Sequence, residues 1–292
     1  MNKPENERRN MTKKGMSKIM LKLATSIPGP VKHFLAHTSL LRPVTRKLYE
    51  AFIGVSNSEV ICLPHLDGLK MRINTNIFKS YVLGTYEPAV FKVIQQSVRR
   101  GDQVLDVGAH LGYFALLLAK QVGSEGKVWA FEPALEVATV LQENVEMNRL
   151  SSYVRVERVA VTDYSGSVLL HMTGNPLEAA DSLVGGLADL DKAEIVKCVS
   201  LDDFLLPQGL SRLDFILIDV EGAEGLVLKG ANSILRSFRP VVLVEMHTLK
   251  GSTYKAAEDL LKSLGYVLEP IDREHGKIAY HVLCTPQERR SL

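Results

Sequence analysis

Residues Asp102 to Glu132 read DQVLDVGAHLGYFALLLAKQVGSEGKVWAFE. Val104 to Val107 form a short apolar run, Gly108-Ala-His-Leu-Gly112 a glycine-bracketed turn, and Tyr113 to Val122 an apolar segment long enough for about three helical turns. A Gly-Ser-Glu-Gly turn then leads into a second apolar run, Lys127 to Phe131, closed by the acid Glu132. Strand, tight turn, helix and strand make a βαβ unit, and a helical crossover of this length calls for a parallel sheet.

The flanking sequence continues the alternation. Upstream, Glu59 to Leu63 and Leu69 to Ile73 are β-rich runs around the turn Pro64-His-Leu-Asp-Gly68, a hairpin expected to cap or extend the sheet. Ser80 to Pro88 reads as a polar and aromatic loop, and Glu87-Pro88 opens a helix with Val90, Ile94 and Val98 near one face. Downstream, Pro133 is expected to start a helix ending near Asn148. Strands follow at 154–159, 168–171, 195–199, 213–218 and 241–244, with helices after 201, over 223–238 and over 254–264. Val267 and Leu268 with Ile278 to Leu283 close the chain as an antiparallel hairpin. The expected fold class is therefore α/β, an open, mostly parallel, Rossmann-like sheet with helices on both faces. Residues 173–194, rich in Gly and small residues, read as a long variable loop.

Composition agrees with a globular protein: 292 residues, 46% hydrophobic and 23% charged, enough to bury a sizeable core. Disorder throughout, collagen and a disulfide miniprotein are excluded. Cys62, Cys198 and Cys284 lie far apart in apolar runs, as expected of buried, reduced thiols in a cytoplasmic protein. The net charge of +2 conceals an asymmetry: eleven Lys and Arg face three Glu in residues 1–50, giving +8, and the rest of the chain is −6. Residues 1–14 form a basic leader with no apolar face. Met16, Ile19, Met20, Leu23 and Ile27 then fall at helical spacing until Pro28-Gly-Pro30. That helix is too short to span a membrane; it suits packing on the body of the protein or peripheral membrane contact through residues 1–30. Nucleic acid is not an expected partner, because the basic residues lack interleaved aromatics and the body is acidic.

Open parallel sheets bind ligands beyond the carboxyl ends of their strands. The residues at those ends are Asp106 and Gly108, Glu132, Ala160 to Asp163, Asp219 to Gly222, and Glu245 to His247. A dinucleotide fingerprint counted from Gly108 needs glycines at 110 and 113, where the chain has His110 and Tyr113. The pattern is instead D-x-G-x-x-x-G, from Asp106 through Gly108 to Gly112, with glycine letting a ligand approach the backbone. Glu132 stands where a nucleoside cofactor presents its ribose, and a carboxylate accepts from both vicinal hydroxyls.

Asp106-Val-Gly-Ala-His-Leu-Gly-Tyr113, Phe131-Glu-Pro133, Asn144 to Asn148, Leu201-Asp-Asp-Phe204 and Ile218-Asp-Val-Glu-Gly-Ala-Glu224, preceded by Tyr81-x-x-Gly84-x-Tyr86-Glu-Pro88, resemble the FkbM-type S-adenosylmethionine-dependent methyltransferases. The resemblance spans roughly residues 78 to 250 and is highly specific taken jointly. It implies a class I methyltransferase fold with a seven-stranded sheet whose last strand is antiparallel, S-adenosylmethionine as cofactor, and methyl transfer mainly to hydroxyl oxygens of sugars, polyketides or other small molecules. The expected organisation is a leader at 1–14, a helical and hairpin extension at 15–77, the methyltransferase domain at 78–285 and a tail at 286–292. Two positions depart from the family pattern: His110 replaces the usual Asn, and Leu217 an often-present Lys.

On this reading Asp106, Gly108, His110, Gly112, Glu132, Tyr86 and Asp219 bind the cofactor, and Asp219, Glu221 and His247 carry the chemistry. Asp219 and Glu221 form a pair of carboxylates that orient the acceptor hydroxyl, take its proton or hold a divalent cation. His247 is the best neutral base near pH 7, with Glu245 to orient it. Two carboxylates alone do not argue a dedicated metal site, so none is expected. Glu224 reads as an acid favoured at the start of a helix. The competing readings are an NAD-linked oxidoreductase or epimerase on a sugar nucleotide, and a non-catalytic cofactor-binding module tethered through its leader.

Overall fold

The computed structural model describes residues 59–75, 77–171, 183, 193–248, 251–272 and 278–291. The basic leader, the helix expected from Met16 to Ile27 and nearly all of the 173–194 loop lie outside them. The chain divides into two compact units, Met1–Pro88 and Ala89–Leu292.

In the first unit, β1 (Glu59–Leu63) and β2 (Leu69–Ile73) pair antiparallel from Glu59↔Ile73 to Leu63↔Leu69. They form a two-stranded sheet of their own and do not extend the main one. The turn holds Asp67 in the left-handed region at φ 55°, a conformation Asp tolerates. Within the expected loop, Lys79–Leu83 forms a short helix, α1, closed by the left-handed Gly84. Cys62 is exposed, against expectation, because alternate residues of this hairpin face solvent; Cys198 and Cys284 are buried thiols.

The second unit opens with α2 (Pro88–Ser97) and continues through β3 (Gln103–Val107), α3 (Tyr113–Val122), β4 (Lys127–Phe131), α4 (Leu135–Met147) and β5 (Val154–Glu157). Next come β6 (Ala160–Val161), β7 (Gly166–His171), β8 (Ala193–Val199) and α5 (Leu201–Leu205). The chain ends with β9 (Phe215–Ile218), α6 (Glu224–Lys229), α7 (Asn232–Phe238), β10 (Val241–His247), α8 (Tyr254–Ser263), β11 (Tyr266–Pro270) and β12 (Ala279–Pro286). The main sheet has seven strands in the order β11-β12-β10-β9-β3-β4-β5. From β10 to β5 all pairs are parallel; β12 runs antiparallel to β10, and β11 to β12. This is the class I methyltransferase arrangement. The order reverses between β3 and β9, where an open parallel sheet leaves a crevice. β6, β8 and β7 form a separate three-stranded sheet, so the strand expected over 154–159 stops early and the chain crosses to it.

Strand alternation divides the sheet into two sides. Leu105, Val107, Trp129, Phe131, Ile216, Ile218, Val242 and Val244 pack into one cluster with Leu205, Val227, Leu228, Ile234, Leu235 and Leu261 of the helices. The opposite parity carries Val104, Asp106, Val128, Ala130, Leu217 and Leu243, and farther along β10 Glu245 and His247.

Two helix boundaries differ from expectation for identifiable reasons. The helix expected over 223–238 breaks at Gly230, where an added Cβ would overlap the Thr162 carbonyl. There the Gly230 carbonyl accepts from the Asp202 N–H at 2.8 Å, while the Asp202 carboxylate accepts from Ser233 and Ile234 N–H at 2.8 and 2.9 Å. A side chain from another segment thus caps the second half as a separate helix. The helix expected from Pro133 begins at Leu135, because Glu132 takes the Ala134 N–H at 3.0 Å.

Candidate functional site

β3 ends in the turn Gly108 to Gly112, which is fixed on three sides. Gly108 and Ala109 N–H both donate to the Phe131 carbonyl of β4, at 3.0 and 2.9 Å. The fully buried Asn144 of α4 donates from Nδ2 to the Leu111 carbonyl at 2.9 Å. Gly108, at φ 88°, lies so close to the Asp219 carbonyl oxygen that a Cβ would overlap it. His110 is held at φ 48°, and its N–H donates to Glu132 Oε2 at 3.0 Å. The Gly112 backbone caps α3.

Glu132 therefore latches the turn through one oxygen and the start of α4 through the other. Asp106 is buried, and its Oδ2 has no hydrogen-bond partner. Its register partners are Leu217 and Ala130, so neither neighbouring strand supplies a cation. Burial, followed by the charge of Glu132, pushes its carboxyl up to about 7.

That shift has a sign. The folded chain keeps a proton that the unfolded chain has lost between about pH 4 and pH 7, so this group's contribution to stability falls as pH rises through that window and levels off above it. Asp106→Asn should flatten the slope and recover up to about 4 kcal/mol above pH 7. Urea unfolding of both proteins from pH 5 to 8 measures it, and parallel slopes would refute the assignment.

On the other side of the crevice Asp219 follows β9, and Glu221 adopts φ 52°. Their loop is tied down by Glu224, which is fully buried and accepts from the Gly222 N–H at 2.8 Å. Thr253 Oγ1 donates to the Gly222 carbonyl at 3.0 Å and accepts from the Gly225 N–H at 2.8 Å. The same Glu224 oxygen lies 2.7 Å from His247 Nδ1. His247 Nε2 stands 3.1 Å from Glu221 and 3.7 Å from Glu245.

Burial opposes charge on His247, but the hydrogen bonds to Glu221 and Glu224, with the charges of Glu221 and Asp219, overcome it and push the imidazole up to about 11. His247 is accordingly protonated at neutral pH. The carboxylate on its Nδ1 is Glu224, and Glu245, the orienter expected from the sequence, stands on the Nε2 side.

The structure thus brings Asp106, Gly108, His110, Gly112 and Glu132 into one turn, and Asp219, Glu221 and His247 into one charged cluster. The Gly108–Asp219 contact joins the two groups. Tyr86 belongs to the first unit, where its ring packs edge-to-face on Tyr81 at 4.5 Å. Sequence reasoning missed Glu224 as the anchor of His247, Asn144 as the brace of the turn, and His281. His281 Nδ1 is 2.7 Å from Asp272 Oδ2, and its Nε2 is 4.0 Å from Glu245. Asn144 and Glu224 both stand in the family motifs, which was the available signal; His281 depends on strand register.

The Methyltransferase FkbM domain matches residues 106–268. Methyltransferase sdnD of Sordaria araneosa is 29% identical over 160 residues, covering 44% of this chain and 60% of its own. The 31-O-demethyl-FK506 methyltransferase FkbM of Streptomyces tacrolimicus is 26% identical over 200 residues, covering 59% and 75%. The hexuronic acid methyltransferase AglP of Haloferax volcanii is 26% identical over 161 residues, covering 55% and 62%.

Proposed function

Because the chain belongs to the FkbM family of S-adenosylmethionine-dependent methyltransferases, we propose that it methylates a hydroxyl oxygen of a sugar or other small-molecule acceptor at the crevice between β3 and β9. The observation that carries this reading is the buried Asp106 carboxyl, without a partner on Oδ2, beneath a backbone turn latched by Glu132. Both the sulfonium and the ammonium of S-adenosylmethionine are cations that an ionised Asp106 would favour. The NAD reading gives way to the family assignment and to the side chains at 110 and 113.

When bound, the cofactor supplies a methyl already activated on sulfur. The protein has to align the acceptor oxygen in line with it and remove one proton. The Gly108 to Gly112 backbone gives close approach, and Glu132 is the carboxylate assigned to the ribose hydroxyls. Asp219 and Glu221 would orient the hydroxyl and take its proton as the methyl leaves sulfur, which becomes a neutral thioether, for the acceptor oxygen. Protonated His247, held by Glu224, keeps the Glu221 carboxylate in place and offsets part of the local negative charge. The relatives named for 31-O-demethyl-FK506 and for a hexuronic acid support an oxygen acceptor on a small molecule or sugar.

Calorimetry with S-adenosylmethionine is the first test. Saturable binding is expected, and Asp106→Ala or Glu132→Ala should abolish it; no binding by the folded wild type would sink the reading. Radiolabelled cofactor screened against cellular glycan and small-molecule fractions then identifies the acceptor. Among the described residues no helix is long and apolar enough to cross a membrane.

A further inference from the structure

The sheet's register brings a second set of groups together at the same end. Glu245 and His247 are two residues apart on β10 and share a face. β12 places His281 directly opposite Glu245. β9 pairs Ile218 with Val244, so the next residue, Asp219, comes abreast of Glu245. One donor atom each from Asp219, Glu245 and His247 lie within 4.8 Å of one another. Glu221 adds an oxygen 3.1 Å from His247 Nε2.

The imidazoles give a second, independent indication. His247 and His281 are both buried, and each has Nδ1 held at 2.7 Å by a carboxylate, Glu224 in one case and Asp272 in the other. Each therefore presents Nε2, and both Nε2 atoms face the same Glu245 oxygen, at 3.7 and 4.0 Å. A histidine with one nitrogen fixed by a carboxylate and the other presented to oxygen donors is how proteins prepare an imidazole for a metal ion. Bonds of about 2.0–2.2 Å put ligand atoms on one first-row cation roughly 3–3.5 Å apart, and the 3.7 Å between His247 Nε2 and Glu245 needs only a small contraction to meet that. The proton on Nε2 and a cation are alternatives at one position, drawn by the same carboxylates.

We propose that Asp219, Glu245 and His247 bind a divalent first-row cation of the manganese or zinc class, with His281 steadying Glu245 from its far side. The mixed imidazole and carboxylate donors favour such ions over magnesium or calcium, which prefer oxygen alone. On the methyl-transfer reading, the ion draws the acceptor hydroxyl and lowers its pKa, leaving Glu221 to take the proton and favouring acceptors with two adjacent oxygens.

The test uses the full chain, stripped with chelator and titrated with Mn2+ alone, with uptake read from loss of the free-ion electron paramagnetic resonance signal. About one equivalent should bind, and Asp219→Asn and Glu245→Gln should each weaken uptake at least tenfold. Pulsed spectra of the wild-type complex should show nitrogen modulation from imidazole, a readout that needs no variant to fold. No uptake at millimolar Mn2+, undiminished uptake in folded variants, or absence of the nitrogen signal each overturns the site. The two readings fail separately: Mn2+ uptake without S-adenosylmethionine binding removes the methyl-transfer reading and keeps the cation site, and the reverse result does the opposite.

Discussion

Gly108→Ala should cost about 4 kcal/mol or more and abolish cofactor binding. Two effects combine at this position. The backbone stands at φ 88°, where an L side chain is strained by roughly 1–2 kcal/mol, and the new methyl would overlap the Asp219 carbonyl oxygen. That carbonyl cannot simply retreat, because the Asp219 N–H is bonded to the Val107 carbonyl at 2.9 Å and its strand is hydrogen-bonded on both sides. Relief would therefore open the β3–β9 crevice, where the Gly108 turn and the acidic loop touch. Gly101 provides the control: its φ is 81°, but a Cβ there meets nothing within 4 Å. Gly101→Ala should cost only the backbone strain and leave calorimetric titrations unchanged. Equal unfolding midpoints for the two variants would show that the contact with Asp219 is not rigid.

Glu224→Ala should destabilise the chain by about 3–5 kcal/mol, the usual consequence of removing one partner from a buried charged pair. The Gly222 N–H loses its acceptor and His247 loses the partner of Nδ1. Glu224→Gln keeps the shape and an acceptor for Gly222 while deleting the charge, so it should cost less and lower the imidazole pKa. The pH dependence has a definite sign. A histidine raised from 6.5 to about 11 gives stability that is complete below 6.5 and lost as pH rises toward 11. Both variants should shrink that loss, and nitrogen chemical shifts of His247 across the range report it directly. An unchanged titration in Glu224→Gln would assign the shift to Glu221 alone.

The fold was largely legible because its signals are local. Apolar runs, Gly108, Gly112 and the acid at 132 are read within a span of about thirty residues, and helical and strand periods differ enough to be told apart. The Gly108 to Gly112 turn was legible for the same reason. The acidic cluster was legible only as a set of strand ends. Which of its members meet depends on register across β9, β10 and β12, and register is set by pairings between residues far apart in sequence. Thus Glu245 looked like the partner of His247 by proximity along the chain, whereas Glu224, 23 positions away, reaches Nδ1. The break at Gly230 was hidden similarly, since the capping carboxylate of Asp202 arrives from another helix.

The alternation along β10 carries a consequence for how the site comes into being. Val242, Val244 and Met246 belong to the core on one side, while Glu245 and His247 face the charged cluster on the other. Slipping this strand by one residue would drive two ionisable groups into hydrocarbon and turn three apolar side chains toward the crevice. The misassembled sheet is thus penalised twice, and the hydrophobic side acts as proofreader for the polar one. Proper alignment of His247 is enforced by residues that never touch a ligand, and selection for a well-packed core maintains the geometry of the opposite face.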